Sequence, residues 1–320
     1  MIEGHGNDTY RYPGIESDFS SNICAAASHR ALMAHLASRP QLLARYPEPE
    51  AWSLEREIAA RHGIDAASVI VTGGATEAIY LTAQAFPYRP VIPAPTFSEY
   101  EDACSCFAHR EDKTAMWLCN PNNPTGELYD RHFIERMARE HDMLVIDQSY
   151  EHYTDGCVLP PSAAVQTANI VQIHSMTKDY AVPGLRLGYI TAHESLTAQL
   201  RRYLHPWSVS ALAVEGGRYL LKHEELRCHP DLAEAQRLRR QLTALGIEVL
   251  PTRTNFMLCH CASITAAELK ERLATRHHML IRDASNFSGL TPHHFRVAAQ
   301  TPEENDALAE AIRQENGIAK

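Results

Sequence analysis

Between residues 68 and 173, short apolar segments alternate with helix-length segments, and this order limits the folds available to the chain. The apolar segments are 68–71, 91–92, 116–119, 143–146 and 170–173. Helical patterns at 78–86 and 131–141 lie between some of them. This alternation is typical of an α/β fold, so we predict a mostly parallel, doubly wound sheet.

The character of the sequence changes after about residue 200. Two long helical patterns, at 211–222 and 231–245, dominate this part, with only a few short strand patterns among the later residues. We therefore predict three parts, which are an N-terminal arm (1–47), a large α/β domain (48–200) and a smaller C-terminal α+β domain (201–320).

The overall composition argues against several classes of protein. The chain has 320 residues, 45% of them hydrophobic, and a net charge of -9 without a basic tract, which argues against nucleic acid as a partner. Its apolar runs are too short to span a bilayer and its N-terminus lacks a signal-peptide pattern, so we expect a cytoplasmic protein with no membrane partner. Pairs such as Cys104-Ser-Cys106 and His293-His294 lack the spacing of a known metal motif, and we expect no metal.

The stretch from Gln172 to Tyr189 carries the first candidate catalytic residue. An apolar run continues into Ser175-x-x-Lys178 and then into a glycine-bounded turn with Arg186. This pattern predicts a strand that delivers Lys178 to the rim of the sheet. A lysine amine attacks carbonyls when its pKa is lowered or its charge is taken up in an imine, and the natural electrophile is the aldehyde of pyridoxal phosphate (PLP). The alternative is an ordinary surface lysine after a strand.

A PLP lysine needs a phosphate site, an acid for the pyridine nitrogen and donors to the ring oxygen. The turn 72–77 places glycines between a strand and a helix N-terminus, which favours anion binding, although such turns also merely reverse the chain. Asp147 follows an apolar strand and needs a positive partner, and Tyr150 could donate to the ring oxygen. The turn 120–126, rich in Asn and Pro, projects amides from another strand end. Phe97 could stack on a planar cofactor or belong to the core.

These motifs resemble those of the fold type I PLP-dependent enzymes of the class I/II aminotransferase family. The resemblance covers nearly the whole chain and rests on four motifs, which are Ser175-x-x-Lys178, Pro183-Gly-Leu-Arg186, the turn 120–126 and Asp147-x-x-Tyr150. It implies a Schiff base between Lys178 and PLP, and an ion pair between Asp147 and the pyridine nitrogen. Further implied cofactor contacts are Asn123 and Tyr150 at the ring oxygen, Ala75, Thr76, Ser175 and Arg186 at the phosphate, and Phe97 on the ring. Tyr46 resembles the tyrosine that reaches the phosphate from the other subunit, which implies a homodimer with shared active sites.

Within this family the chain is similar to two branches. One branch decarboxylates L-threonine O-3-phosphate in cobalamin synthesis, and the other consists of the histidinol-phosphate aminotransferases. The stretches that resemble the decarboxylase are 5–7, 18–22, 206–212, and 280–286 with 295–297. The expected reaction is therefore PLP-dependent decarboxylation of L-threonine O-3-phosphate, or a similar phosphorylated amino acid, to aminopropanol phosphate and CO2. Transamination of the histidinol-phosphate type is the alternative.

The same resemblance implies where the substrate binds. We expect Arg296 to meet the substrate carboxylate, and Arg282, His5 and Asn22 to form the phosphate end, because bidentate arginine suits both anionic groups. His5 and Asn22 could instead belong to a disordered tail. Two departures from the decarboxylases leave the substrate open. Asn22 is followed by Ile-Cys-Ala-Ala instead of a Pro-Leu-Gly turn, and the segment 100–118 is shorter than usual.

Overall fold

A computed structural model describes residues 6–24 and 28–315 of the chain. The strands are β1 (Ser17–Asp18), β2 (Val69–Thr72), β3 (Tyr88–Val91), β4 (Arg110–Cys119), β5 (Met143–Asp147), β6 (Ile170–His174), β7 (Gly188–Ala192), β8 (Glu248–Val249), β9 (Phe256–His260), β10 (Met279–Leu280), β11 (Arg282–Asp283) and β12 (His294–Ala298). The helices are α1 (Arg30–Ala37), α2 (Trp52–His62), α3 (Ala75–Ala85), α4 (Glu99–Ser105), α5 (Arg131–Glu140), α6 (Pro161–Ala164), α7 (Met176–Asp179), α8 (Glu194–Leu200), α9 (Ala211–Lys222), α10 (Leu232–Ala244), α11 (Ala266–His277) and α12 (Pro302–Glu315). Within these residues, no helix has the length and apolar character needed to cross a membrane.

The larger sheet has six strands in the order β2-β7-β6-β5-β4-β3. Strands β3 to β6 pair in parallel, whereas β7 runs antiparallel to its neighbours β2 and β6. The prediction of a mostly parallel α/β sheet is therefore confirmed. Strand β7 was not predicted from the sequence, because its first residue, Gly188, lies in a stretch with the pattern of a turn.

Helices cover both faces of this sheet. Along β4, Trp117 packs on one face against Tyr100 of α4, whereas the preceding Met116 packs on the other face with Ile134 of α5. Successive side chains of a strand point to opposite faces, so a strand that is covered on both sides reads as a continuous apolar run. This packing explains the apolar segments and confirms the doubly wound arrangement.

Two elements near the predicted site have boundaries that differ from the sequence prediction. Helix α3 begins at Ala75 rather than at residue 78, because Gly74, with a φ of 99°, completes the turn immediately before it. Strand β4 extends back to Arg110, beyond its apolar part. Its first residues, 110–112, are charged and exposed, so the pattern of hydrophobic residues does not reveal them.

The second sheet has four antiparallel strands in the order β11-β12-β9-β8. Helices α10, α11 and α12 pack with it through Leu238, Leu269 and Leu308, which are fully buried together with Phe295 of β12. The N-terminal segment joins this core, since β1 pairs in parallel with β10 and Phe19 is fully buried there. These contacts hold the segment that continues to residues 20–22.

Candidate active site

The carboxyl ends of the parallel strands meet at one edge of the larger sheet, where Cys119 of β4 pairs with Asp147 of β5. A cavity of about 370 Å³ lies at this edge. The predicted site residues that line it are Ala75, Thr76, Phe97, Asn123, Asp147, Tyr150, Ser175, Lys178, Arg186, Arg282 and Arg296. The cavity therefore combines the rim of the larger sheet with two arginines from β11 and β12 of the second sheet.

Lys178 lies in the short helix α7, which follows β6. Its Nζ donates a hydrogen bond to the carbonyl oxygen of Ser21 at 2.7 Å and lies 5.8 Å from the centre of the Tyr150 ring. The carbonyl oxygen of Lys178 accepts a hydrogen bond from the Tyr153 hydroxyl at 2.9 Å. Burial, followed by the nearby Arg296 guanidinium, lowers the pKa of Lys178 to about 7. Because the neutral amine is the nucleophile, these surroundings suit attack on a carbonyl.

Asp147 ends β5 as a buried carboxylate with three donors. Its Oδ1 accepts from the backbone N–H of Ser149 at 2.9 Å and from the Ser149 hydroxyl at 2.6 Å, and its Oδ2 accepts from the Tyr100 hydroxyl at 2.8 Å. Burial raises the pKa of Asp147, and these hydrogen bonds oppose that effect. Tyr100 also contacts Phe97 edge to face, with ring centres 5.7 Å apart. The sequence motifs do not single out Ser149 or Tyr100, which hold the acid in place.

One wall of the cavity is built to receive an anion. Helix α3 begins after Gly74, which has no side chain to cap it, so its first N–H groups have no capping partner and attract negative charge. Ser175, which precedes α7, makes no capping hydrogen bond with its side chain either. A Cβ atom on Gly74 would lie 2.7 Å from Nη2 of Arg186, so the glycine lets the guanidinium approach the turn. This cradle fits the phosphate of PLP.

Gly188→Ala is expected to damage this wall. A Cβ atom at residue 188 would lie 2.8 Å from the amide nitrogen of Ala75, from the carbonyl carbon of Gly74 and from the carbonyl oxygen of His174. These backbone atoms cannot rotate away, so we expect unfolding to become easier by about 1–3 kcal/mol and PLP to bind more weakly. Urea denaturation and a PLP titration measure the two effects. Gly184→Ala is the control, because its Cβ would meet nothing within 4 Å, and equal losses in both variants would contradict the assignment.

Arg282 and Arg296 are both buried at the cavity, with 4% and 5% of their surfaces exposed. Within the described residues, neither guanidinium forms an ion pair with a carboxylate. Arg296 donates to Oδ1 of Asn123 and to the Ser20 carbonyl oxygen, and its Nε has no partner there. Arg282 donates to the Asp283 carbonyl oxygen and, at 2.8 Å, to Oδ1 of Asn286. Burial, followed by the charge of Arg296, lowers the pKa of Arg282 to about 9.

Such guanidinium groups are costly to bury unless an anion neutralises them. No carboxylate in the described part of the chain forms an ion pair with either group, and both groups open onto the same cavity. Both arginines are therefore available to bind an anionic ligand in the cavity.

The remaining predicted residues are Asn22, Tyr46 and His5, and neither Asn22 nor Tyr46 lines the cavity. Asn22 is fully buried and its Nδ2 donates to the Tyr150 hydroxyl at 3.3 Å, so it lies beside the cavity although it does not line it. Tyr46 is 86% exposed, contacts Trp207 with ring centres 5.5 Å apart, and does not line the cavity of its own chain. His5 lies outside the described residues.

Comparison with known proteins agrees with this geometry. The family model for aminotransferase class I and II matches residues 16–107 and 106–312. A threonine-phosphate decarboxylase from Salmonella typhimurium is 29% identical, with 92% of this chain and 90% of the relative covered. The crystal structure of L-threonine-O-3-phosphate decarboxylase from Porphyromonas gingivalis is 35% identical, with a TM-score of 0.88, and the match covers 93% of this chain and 99% of that one.

The second branch gives a weaker match. A histidinol-phosphate aminotransferase from Thermoanaerobacter sp. is 25% identical, with 84% of each chain covered. All of these relatives are enzymes, and PLP dependence is implied by the family. The family match spans both sheets and the cavity between them, and it shows that this chain belongs to the class I and II aminotransferase family.

Proposed function

We propose that this enzyme uses PLP to decarboxylate L-threonine O-3-phosphate, or a similar phosphorylated amino acid, to aminopropanol phosphate and CO2. The observation that carries the proposal is the pair of buried arginines, Arg282 and Arg296, which open onto the cavity of Lys178 without a carboxylate partner among the described residues. A substrate with a carboxylate and a phosphate would satisfy both guanidinium groups. The two relatives named as threonine-phosphate decarboxylases support the same substrate.

In this proposal the cofactor occupies the edge of the larger sheet. Lys178 attaches it covalently, the Asp147 carboxylate faces the pyridine nitrogen, and Phe97 lies against the ring. Tyr150 and the amide of Asn123 hold the ring oxygen. The phosphate is bound by the start of α3 at residues 75–76, with Ser175 and Arg186. When bound, PLP supplies an electron sink that weakens the bonds to the substrate Cα.

The protein decides which of those bonds breaks by holding the substrate in one orientation. A bond perpendicular to the ring is the one that is activated, so the carboxylate must be held out of the ring plane for decarboxylation. We assign this task to Arg296, which Asn123 and the Ser20 carbonyl oxygen fix in place. Arg282, supported by Asn286, would hold the substrate phosphate. The Lys178 amine, with its lowered pKa, would return a proton to Cα.

The charge of the cavity supports a dianionic substrate. Besides Lys178 and Arg186, which the proposal assigns to the cofactor, its walls carry Arg282 and Arg296, and Asp147 is the one carboxylate among the described lining residues. The whole chain is acidic, with a net charge of -9, so this positive charge is local. A locally positive cleft concentrates anionic ligands.

We further propose that the enzyme is a homodimer in which Tyr46 contacts the partner's site. Tyr46 is 86% exposed, and Trp207, whose ring contacts that of Tyr46, is 49% exposed, so two large aromatic side chains lie together at the surface. We expect light scattering to give about twice the chain mass of 35.8 kDa. A fully active enzyme with the mass of one chain would contradict the shared site.

The experiment that tests the function is a product assay on PLP-loaded enzyme with L-threonine O-3-phosphate and no keto acid. We expect CO2 and aminopropanol phosphate in equal amounts over many turnovers. If products form only when 2-oxoglutarate and histidinol phosphate are supplied, and glutamate appears, the enzyme is an aminotransferase and the proposal is wrong. The decarboxylation assay and the transamination assay use the same enzyme preparation, so a difference in cofactor loading cannot explain a difference in their results.

A further inference from the structure

A second cavity, of about 250 Å³, borders helix α7 and shares no lining residue with the catalytic cavity. Its polar walls are formed by Arg61, His62, His152, Asp179, Tyr180 and Arg227. None of these residues has a role in the proposed reaction. The cavity is polar and large enough for an ion with bound water.

Asp179 is the unusual member of this group. It is 3% exposed, and its Oδ1 has no hydrogen-bond partner among the described residues. Its Oδ2 lies 3.8 Å from Nε2 of His152, which is beyond hydrogen-bond distance. Buried carboxylates are normally paired or bound to a metal, so this carboxylate lacks a partner that its environment requires.

Two further donors lie close to Asp179. Glu151, His152 and Asp179 can each offer one ligand atom such that all three atoms lie within 4.8 Å of one another, and they form the one such group found in residues 6–24 and 28–315. Two carboxylates at this separation repel each other in a buried place, and a cation between them would remove that repulsion.

The surroundings of the group resemble those of a metal site. Nδ1 of His174 lies 2.8 Å from Oε1 of Glu151, and Nε2 of His174 lies 3.0 Å from the Thr191 hydroxyl. Such outer contacts orient a ligating carboxylate. His152 adds an imidazole nitrogen to the two carboxylates, and its side chain is 31% exposed beside the cavity that it lines.

We propose that Glu151, His152 and Asp179 bind a divalent cation of the class that accepts both carboxylate and imidazole ligands, such as Zn²⁺ or Mn²⁺. The expectation of no metal from the sequence rests on linear motifs, whereas this group joins two segments with no recognised spacing. Arg61 and Arg227 line the same cavity, but both are paired with Glu224. The positive charge of these arginines should weaken cation binding relative to a closed structural zinc site, but all three donor groups remain.

A cation here would connect two parts of the active site. Asp179 directly follows Lys178 in α7, and Glu151 directly follows Tyr150, and both Lys178 and Tyr150 line the catalytic cavity. The cation would therefore hold the lysine segment against the tyrosine segment. Its binding does not depend on which reaction the enzyme catalyses, so the test below is independent of the proposed function.

The test is metal binding by PLP-loaded enzyme that has been treated with a chelator and then dialysed. We expect wild type to bind one more Mn²⁺ ion per chain than Asp179→Asn, as measured by electron paramagnetic resonance of Mn²⁺ titrations. His152→Gln should lose the same ion. Glu225→Gln changes an exposed acid and is the matched control, which should bind as wild type does. Mn²⁺ that binds to exposed histidines is present in all variants, so it cancels when they are compared.

Thermal unfolding gives a second measurement. Mn²⁺ should raise the melting temperature of wild type and of Glu225→Gln, but not that of Asp179→Asn. Without metal, Asp179→Asn should be at least as stable as wild type, because an unpaired buried carboxylate has been replaced by a neutral group of the same shape. The proposal is overturned if Asp179→Asn and His152→Gln bind Mn²⁺ with the wild-type stoichiometry and affinity, or if wild type binds no more Mn²⁺ than they do.

Discussion

Lys178→Ala is expected to reduce turnover by roughly 10⁴-fold, the upper end of what a positioned acid–base group contributes. Among the lysines that the structure describes, Lys178 alone lines the catalytic cavity, so no neighbour can replace it. Its Nζ is held by the Ser21 carbonyl oxygen, and burial lowers its pKa. The variant should also fail to attach PLP covalently while it still binds the phosphate group.

The measurement is the mass of the protein after borohydride reduction, together with turnover. Reduction should add the mass of PLP less one oxygen atom to wild type at Lys178, because imine formation releases water and borohydride adds two hydrogens, and it should leave Lys178→Ala unchanged. Lys222→Ala removes an exposed lysine that lies near Glu57 and should behave as wild type in both measurements. A Lys178→Ala enzyme that retains even one hundredth of the wild-type turnover would show that another group moves the proton.

The larger sheet could be predicted from the sequence because both of its faces are covered. Strands such as β5, in which every residue from Met143 to Asp147 is buried, appear as apolar runs wherever helices flank them. Strand β7 was not predicted, because its sequence lacks such an apolar run at its start. It begins at Gly188, which packs against the backbone of Gly74 and Ala75, and its strand character comes from pairing with β2 and β6 rather than from its own pattern.

The candidate site was predictable where a candidate residue belongs to a short sequence motif. Lys178, Asp147 and Arg186 each occur in a recognisable motif. The residues that hold them do not, because their contacts come from distant parts of the chain. Tyr100 reaches Asp147 across 47 positions, and the Ser21 carbonyl oxygen reaches Lys178 across 157, so only the fold brings them together.

The same reason applies to the group around Asp179. Metal motifs are recognised in sequences by fixed spacing on one element. Here Glu151 and His152 begin the 3-10 helix Glu151–Tyr153 that follows β5, and Asp179 ends α7, so no fixed spacing connects them. The sequence does show Asp179 next to Lys178, but its burial without a hydrogen bond is visible only in the structure.

Replacing the two buried arginines one at a time should show which arginine binds which end of the substrate. If Arg296 binds the carboxylate and Arg282 binds the phosphate, Arg296→Met should weaken binding of L-threonine O-3-phosphate but not of aminopropanol phosphate, which lacks the carboxylate. Arg282→Met should weaken binding of both ligands. Removing one partner of a buried charge pair costs about 2–5 kcal/mol, which is roughly 30-fold to several thousand-fold in affinity.

The effect of each substitution on each ligand is measured in two ways. Isothermal titration of PLP-loaded enzyme gives the affinity for aminopropanol phosphate, and steady-state kinetics give the KM for L-threonine O-3-phosphate. Arg276→Met is the control, because this arginine is largely exposed and paired with Glu315. If Arg296→Met weakens aminopropanol phosphate as strongly as Arg282→Met does, the two arginines bind one group together. The carboxylate would then be held elsewhere, and the structural basis for choosing decarboxylation over transamination would be lost, because Arg296 would no longer set the angle of the bond that breaks.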